Sequence, residues 1–133
     1  MAAIEVSAAI IYHGTRMLVC RRPPGSFFEG WWEWPGGKRR PGESPEECAR
    51  RELAEETGYM CGPMLALGTV EAAYSGRNVR VSFFAGRLAP GSTAGPDAVE
   101  HRWVEPHEVA SLQFLQANVP LLRALIDAPP KLP

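Results

Sequence analysis

The stretch that decides the fold runs from Gly37 to Tyr59 and reads GKRRPGESPEECARRELAEETGY. Its second half predicts a helix with both ends marked. Ser44 is a candidate N-cap, Pro45 suits the first helical position, and Glu47 completes a capping box. Helix-compatible residues continue to Thr57, and Gly58 stands where a left-handed residue ends a helix. Successive helical residues turn by about 100°, so Glu52, Glu55 and Glu56 share one face. Like charges at those spacings repel, and a bound divalent cation offsets that repulsion. Carboxylate oxygens are the hard ligands that Mg²⁺ prefers. Leu53 and Ala49 point elsewhere and anchor the helix to the rest of the fold. Arg51 reaches Glu55 one turn on, and Glu43 is free to fold back towards the metal face.

Working outward, Ile4 to Tyr12 reads as a buried strand, His13-Gly14-Thr15 as a turn and Met17 to Cys20 as a second strand. Arg22 to Gly30 is a loop. The cluster Trp31, Trp32 and Trp34 follows and reads as packing, before Pro35-Gly36-Gly37 breaks the chain. Leu65 to Tyr74 and Val79 to Leu88 have strand character, separated by Ser75-Gly76-Arg77-Asn78. Ala89 to Ala98 is a loop, His101 to Val104 a short strand, and Pro106 opens a helical turn. Val119 to Ile126 reads as an amphipathic helix, and the proline-rich tail from about Ala128 as frayed. Strands and helices interleave without a regular βαβ period, so the expectation is a mixed sheet flanked by helices, in one domain across residues 1–133.

The 133 residues are 45% hydrophobic and 22% charged, with a net charge of −1. This is globular composition, without the basic field that sequence-tolerant nucleic-acid binding uses. The three cysteines, Cys20, Cys48 and Cys61, have no CxxC spacing, which suits a reducing compartment. No apolar run approaches the roughly 20 residues of a spanning helix. The expectation is a soluble cytoplasmic protein, monomer or homodimer, engaging neither membrane nor nucleic-acid polymer. His13, His101 and His107 lack metal-like spacing and read as surface residues. No Gly-x4-Gly-Lys-Ser/Thr loop is present, so phosphate must be handled through metal.

An acidic helix face alone is ordinarily solvated surface. The fixed points here are more numerous: Gly37, Glu43, Arg51, Glu52, Glu55, Glu56 and Gly58, a coincidence expected on the order of once in 10⁸ windows. The run resembles the Nudix box, G-x5-E-x7-R-E-U-x-E-E-x-G-U with U a bulky apolar residue. Only Tyr59 departs, standing where an aliphatic residue is usual. The resemblance implies a Nudix fold, an α/β/α sandwich with a mixed central β-sheet. It also implies hydrolysis of nucleoside diphosphates linked to another moiety, with Mg²⁺, or Mn²⁺ in its place. Glu52, Glu55 and Glu56 match the family's metal ligands, assisted by the backbone carbonyl of Gly36 or Gly37.

Beyond the box the chain resembles the MutT-like branch, which hydrolyses oxidised purine triphosphates such as 8-oxo-dGTP to the monophosphate and pyrophosphate. Leu18 to Arg22 is similar to that branch's second strand, with Arg22 where a substrate phosphate is contacted. Trp32 to Lys38 resembles the run into the box. Phe114 to Pro120 resembles the stretch whose Asn, here Asn118, recognises the base. A helix N-cap is the other reading of Asn118. Two departures stand out. The branch's additional Glu appears as Asp97, one methylene shorter, so either Asp97 reaches through water or Glu100 takes its role, and one of Glu52, Asp97 and Glu100 helps deprotonate the attacking water. Tyr74 takes the place of a base-packing aromatic. Arg77 is a further candidate substrate contact, although singly both it and Arg22 read as solvated charges. The same C-terminal stretch also fits the branch that hydrolyses CTP and 5-methyl-dCTP, which has Asp where Asn118 stands. A Nudix-fold module that binds nucleotide without cutting it would be expected to lack a box carboxylate. A protein-interaction domain has only the proline-rich tail to suggest it.

Overall fold

A computed structural model describes residues 3–74 and 76–133, with Tyr74 described in its backbone alone. Ile4–His13 forms β1, buried over most of its length. A strand covered on both faces reads as a nearly continuous apolar run, which is what the sequence shows. Gly14, at φ 63°, turns the chain into β2, Arg16–Arg21, with Tyr12 opposite Met17. Short strands β3, Trp32–Glu33, and β4, Gly36–Lys38, pair antiparallel with β2 and β1. After helix α1, Pro45–Thr57, come β5, Cys61–Tyr74, β6, Arg77–Leu88, and β7, His101–Val104. β6 runs parallel to β1 from Ile4↔Val79 to Tyr12↔Arg87, and β5 lies antiparallel outside β6. The sheet runs β3-β2-β1-β6-β5, with β4 on β1 and β7 on β2. It is mixed, as expected.

α1 forms as its sequence signals predict. Ser44 Oγ accepts from Glu47 N–H at 3.1 Å, and Glu47 Oε1 accepts from Ser44 N–H at 2.9 Å. Gly58 closes the helix at φ 82°, its N–H bonded to the Ala54 carbonyl. Ala49 and Leu53 are fully enclosed and pack on Ala9, Ile11, Leu18 and Phe84 from one face of the sheet. Burying Leu53 contributes roughly 1.5–3 kcal/mol. The opposite face, with Ile10, Met17, Trp34 and Phe83, is covered by Val109 of α2, Pro106–Val109, and by Leu122 and Leu125 of α3, Val119–Asp127. The layers are therefore helix, sheet, helix. Among the described residues no helix is long and apolar enough to cross a membrane.

Three expectations change. Pro35-Gly36-Gly37 does not simply break the chain, because Gly36 and Gly37 enter β4. A Cβ on Gly36 would stand 2.4 Å from the Ser7 carbonyl oxygen, so this approach to β1 requires glycine. β5 starts at Cys61, ahead of Leu65. Register shifts between Cys61 and Met64 and between Ala66 and Gly68 interrupt the alternation that marks a strand. The tail is not wholly frayed, since Leu132 is partly buried against the α3-side core. A 3₁₀ turn, Gln116–Asn118, leads into α3.

Candidate active site

α1 lays its carboxylates along β4. A Cβ on Gly37 would fall 2.5 Å from Glu52 Cδ, so the bare backbone of β4 makes room for that carboxylate. Glu56 Oε2 accepts from the Gly36 N–H at 2.9 Å. The Gly37 carbonyl accepts from Cys48 Sγ at 3.4 Å.

Glu56 is held out of water beside Glu33 and Glu52. Burial first, then the two neighbouring acids, push its carboxyl up to about 8, against the pull of the Gly36 N–H. Glu33 is also raised by burial, while Arg22 opposes the shift. Arg22 Nη1 meets both Glu33 carboxylate oxygens at 3.0 and 3.1 Å, and its Nε donates to the Phe27 carbonyl. Arg22 is therefore a brace for Glu33 rather than the solvated charge it reads as singly.

Arg51 organises the outer half of the site. It grips Glu43 at 2.6 and 3.0 Å, Glu52 at 2.9 Å, Glu55 at 3.1 Å and the Lys38 carbonyl at 3.0 Å. Its hydrogen bonds, with that of the Arg40 N–H, take Glu43 down to about 2. Glu43 does fold back, but onto Arg51. Glu55 is shared with Arg40 at 3.1 Å and stands exposed. Among the described residues, no three acidic, histidine or cysteine side chains form a ready metal cage. The donors nevertheless fit a hard divalent cation: carboxylate oxygens on one helix face, one still holding a proton that a cation would displace.

Beside this face lies a cavity of about 360 Å³. Trp34, Val79, Val81 and Leu115 give it apolar walls, and Phe27 and Lys38, both exposed, contribute to its lining. Asn118 lines it too. The residue is buried and holds the N-cap position of α3, as that reading has it, yet its side chain makes no capping hydrogen bond. Sequence reasoning did not single out Glu33, Phe27 or Lys38 for the site. Glu33 and Lys38, both within the Trp32–Lys38 run, carried a signal there, and Phe27 carried none.

The other candidates scatter. Asp97 is exposed on a turn where the Ala98 N–H meets the Gly95 carbonyl at 3.3 Å. Glu100 is anchored twice to Arg21, through its carbonyl at 2.9 Å and its carboxylate at 3.4 Å. Arg77 is exposed at the start of β6 and does not line the cavity. The Tyr74 side chain lies outside the described residues. His101, expected at the surface, is partly buried against Tyr59 and Trp103, its Nδ1 2.8 Å from the Val99 carbonyl oxygen.

Comparison with known proteins agrees with this arrangement. The family model described as NUDIX domain matches residues 1–125. The chain is 33% identical to the CTP pyrophosphohydrolase of Escherichia coli over 95% of its length and 93% of that protein's. It is 30% identical to the 8-oxo-dGTP diphosphatase of Haemophilus influenzae over 93% of its length and 92% of that enzyme's. The solution structure of the E. coli ORF135 protein superposes with a TM-score of 0.77 at 32% identity, covering 98% of this chain and 95% of that one. A MutT structure from work on Aliivibrio salmonicida and Vibrio cholerae gives 0.73 at 28% identity, covering 95% and 98%. The likeness runs through the whole fold as well as the box, and the chain belongs to the Nudix hydrolase family.

Proposed function

We propose that this protein is a MutT-like, Mg²⁺-dependent nucleoside triphosphate pyrophosphohydrolase acting on an oxidised purine nucleotide such as 8-oxo-dGTP. Nudix hydrolases generally need a divalent metal. The observation that carries the substrate reading is the cavity that runs from Asn118 to Glu33 and to Gly36 of β4, whose N–H holds Glu56 of the carboxylate helix. Asn118, without a cap bond, offers an amide donor and acceptor to a base edge. The apolar walls take the ring, and Lys38 stands on the phosphate side. Glu52, Glu55 and Glu56 would hold the cation, with a Gly36 or Gly37 carbonyl assisting. When bound, it neutralises phosphate charge and acidifies water.

The chain's own residues do the rest. Arg51 keeps Glu52 and Glu55 in place. Glu33, braced by Arg22, borders both the cavity and Glu56. Of Glu52, Asp97 and Glu100, the groups suited to take the proton of the attacking water, Glu100 is the one on the 89–100 loop anchored by both main chain and side chain. The substrate is a free nucleotide. The unpaired thiols of Cys20, Cys48 and Cys61 suit a reducing cytoplasm.

The test is pyrophosphate release with Mg²⁺ and with EDTA. The panel is unmodified and oxidised nucleoside triphosphates, ADP-ribose and dinucleoside polyphosphates, compared by kcat/KM. Glu55→Gln, shown to be folded, should lower kcat by orders of magnitude, and near-normal turnover would remove the metal assignment. Asn118→Ala should reduce discrimination between 8-oxo-dGTP and dGTP. A second reading, CTP as substrate, is favoured by the likeness to the E. coli CTP pyrophosphohydrolase. It predicts the highest kcat/KM on CTP or 5-methyl-dCTP.

A further inference from the structure

Tyr59 ends the box where the pattern has an aliphatic residue. An aliphatic side chain would fill the same buried place against Leu18, Leu53 and Phe84. What tyrosine adds is a hydroxyl, and that hydroxyl is fully engaged. Trp103 Nε1 donates to Tyr59 Oη at 3.2 Å, and Tyr59 Oη lies 3.2 Å from His101 Nε2. His101 Nδ1 is 2.8 Å from the Val99 carbonyl oxygen, which can only accept. In the neutral imidazole the proton therefore sits on Nδ1, and Nε2 accepts from the tyrosine hydroxyl. Edge-on ring contacts at 5.4 Å with His101 and 5.3 Å with Trp103 fix the orientation.

The chain of bonds ends at the site. The Val99 N–H donates to the Glu56 carbonyl at 2.9 Å, while its own carbonyl is the one His101 holds. Gly95 N–H likewise meets the Thr57 carbonyl at 2.8 Å. The loop is thus pinned to the C-terminal end of α1, and the next residue after Val99 is Glu100, facing Arg21. We propose that Tyr59 is a positioning residue for the hydrolysis: acting through His101, its hydroxyl fixes Val99 against the C-terminal end of α1 and so sets the place of Glu100, the next residue. This rests on the reading of the chain as a pyrophosphohydrolase.

Tyr59→Phe deletes only the hydroxyl. With whichever of 8-oxo-dGTP and CTP is turned over faster, kcat should fall about tenfold while KM and the Mg²⁺ dependence hold. Glu100→Gln should lower kcat by itself, and in that background Tyr59→Phe should cost almost nothing more. An equal penalty in both backgrounds, a wild-type kcat for Tyr59→Phe, or no loss from Glu100→Gln overturns the proposal. His101→Leu cuts the same link from its other end and should reproduce the kcat loss and its dependence on Glu100, which decides the matter if Tyr59→Phe does not fold. Amide exchange across residues 95–100, followed by mass spectrometry without substrate, should rise in Tyr59→Phe, and unchanged exchange overturns the link. A wild-type protein that releases no pyrophosphate from any triphosphate instead fails the functional reading, with the exchange result still deciding the Tyr59 link.

Discussion

Glu56 is the residue at which burial and chemistry pull against each other. In the unfolded chain its carboxyl ionises near 4.5, and in the metal-free fold near 8. Below 4.5 both states hold the proton and no stability is lost. As pH rises from 4.5 to 8 the unfolded chain gives up its proton first, so stability falls across that window. Thermal melts in EDTA should therefore show a decline with pH that Glu56→Gln flattens. A parallel decline in the variant would refute the assignment. Because a cation displaces this proton, stabilisation by Mg²⁺ should grow over the same window. Glu43 works the other way: its contribution is complete above 4.5 and lost as pH falls towards 2. The spacing of Glu52, Glu55 and Glu56 was plain from the sequence. That Glu33 joins them was not, since it lies on β3 and comes beside Glu56 only where α1 packs on the sheet.

At the scale of elements, α1 announces itself by its caps, whereas β4 is nearly silent. Two glycines carry no hydrophobic period, and what they provide is the absence of a side chain. They do so for different neighbours, which gives a contrasting pair of variants. Gly36→Ala drives a Cβ into the backbone of β1, at 2.4 Å from the Ser7 carbonyl oxygen, and should lower the melting temperature sharply. Gly37→Ala meets the movable end of Glu52 instead. It should keep the circular dichroism spectrum and melting temperature close to wild type while kcat drops at least about tenfold. Similar melting temperatures for the two would show that β4 is not set as described. The start of β5 was illegible for another reason, because its register shifts place successive side chains out of alternation.

Across the whole molecule the sheet carries two separate cores, one under α1 and one under α2 and α3. Leu53→Ala and Leu122→Ala should each cost about 2–5 kcal/mol in urea unfolding, the range for a buried leucine cut to a cavity. Their kinetic effects should differ, with Leu53→Ala reducing kcat through the carboxylate helix. Leu122→Ala should raise KM through α3, which Asn118 precedes. Equal effects on both parameters would argue against the division. The sequence by itself determined the helix, its ends, its acidic face and the order of the main strands, because caps and hydrophobic periods are local properties of the chain. Tertiary structure alone decided that Arg22 braces Glu33, that Asn118 leaves its cap position unbonded to line a cavity, and that His101 joins Tyr59 to Val99. The Arg22–Glu33 and Tyr59–His101 pairings bring together residues 11 and 42 positions apart, and only the closure of the sheet with its two helical layers sets such distances.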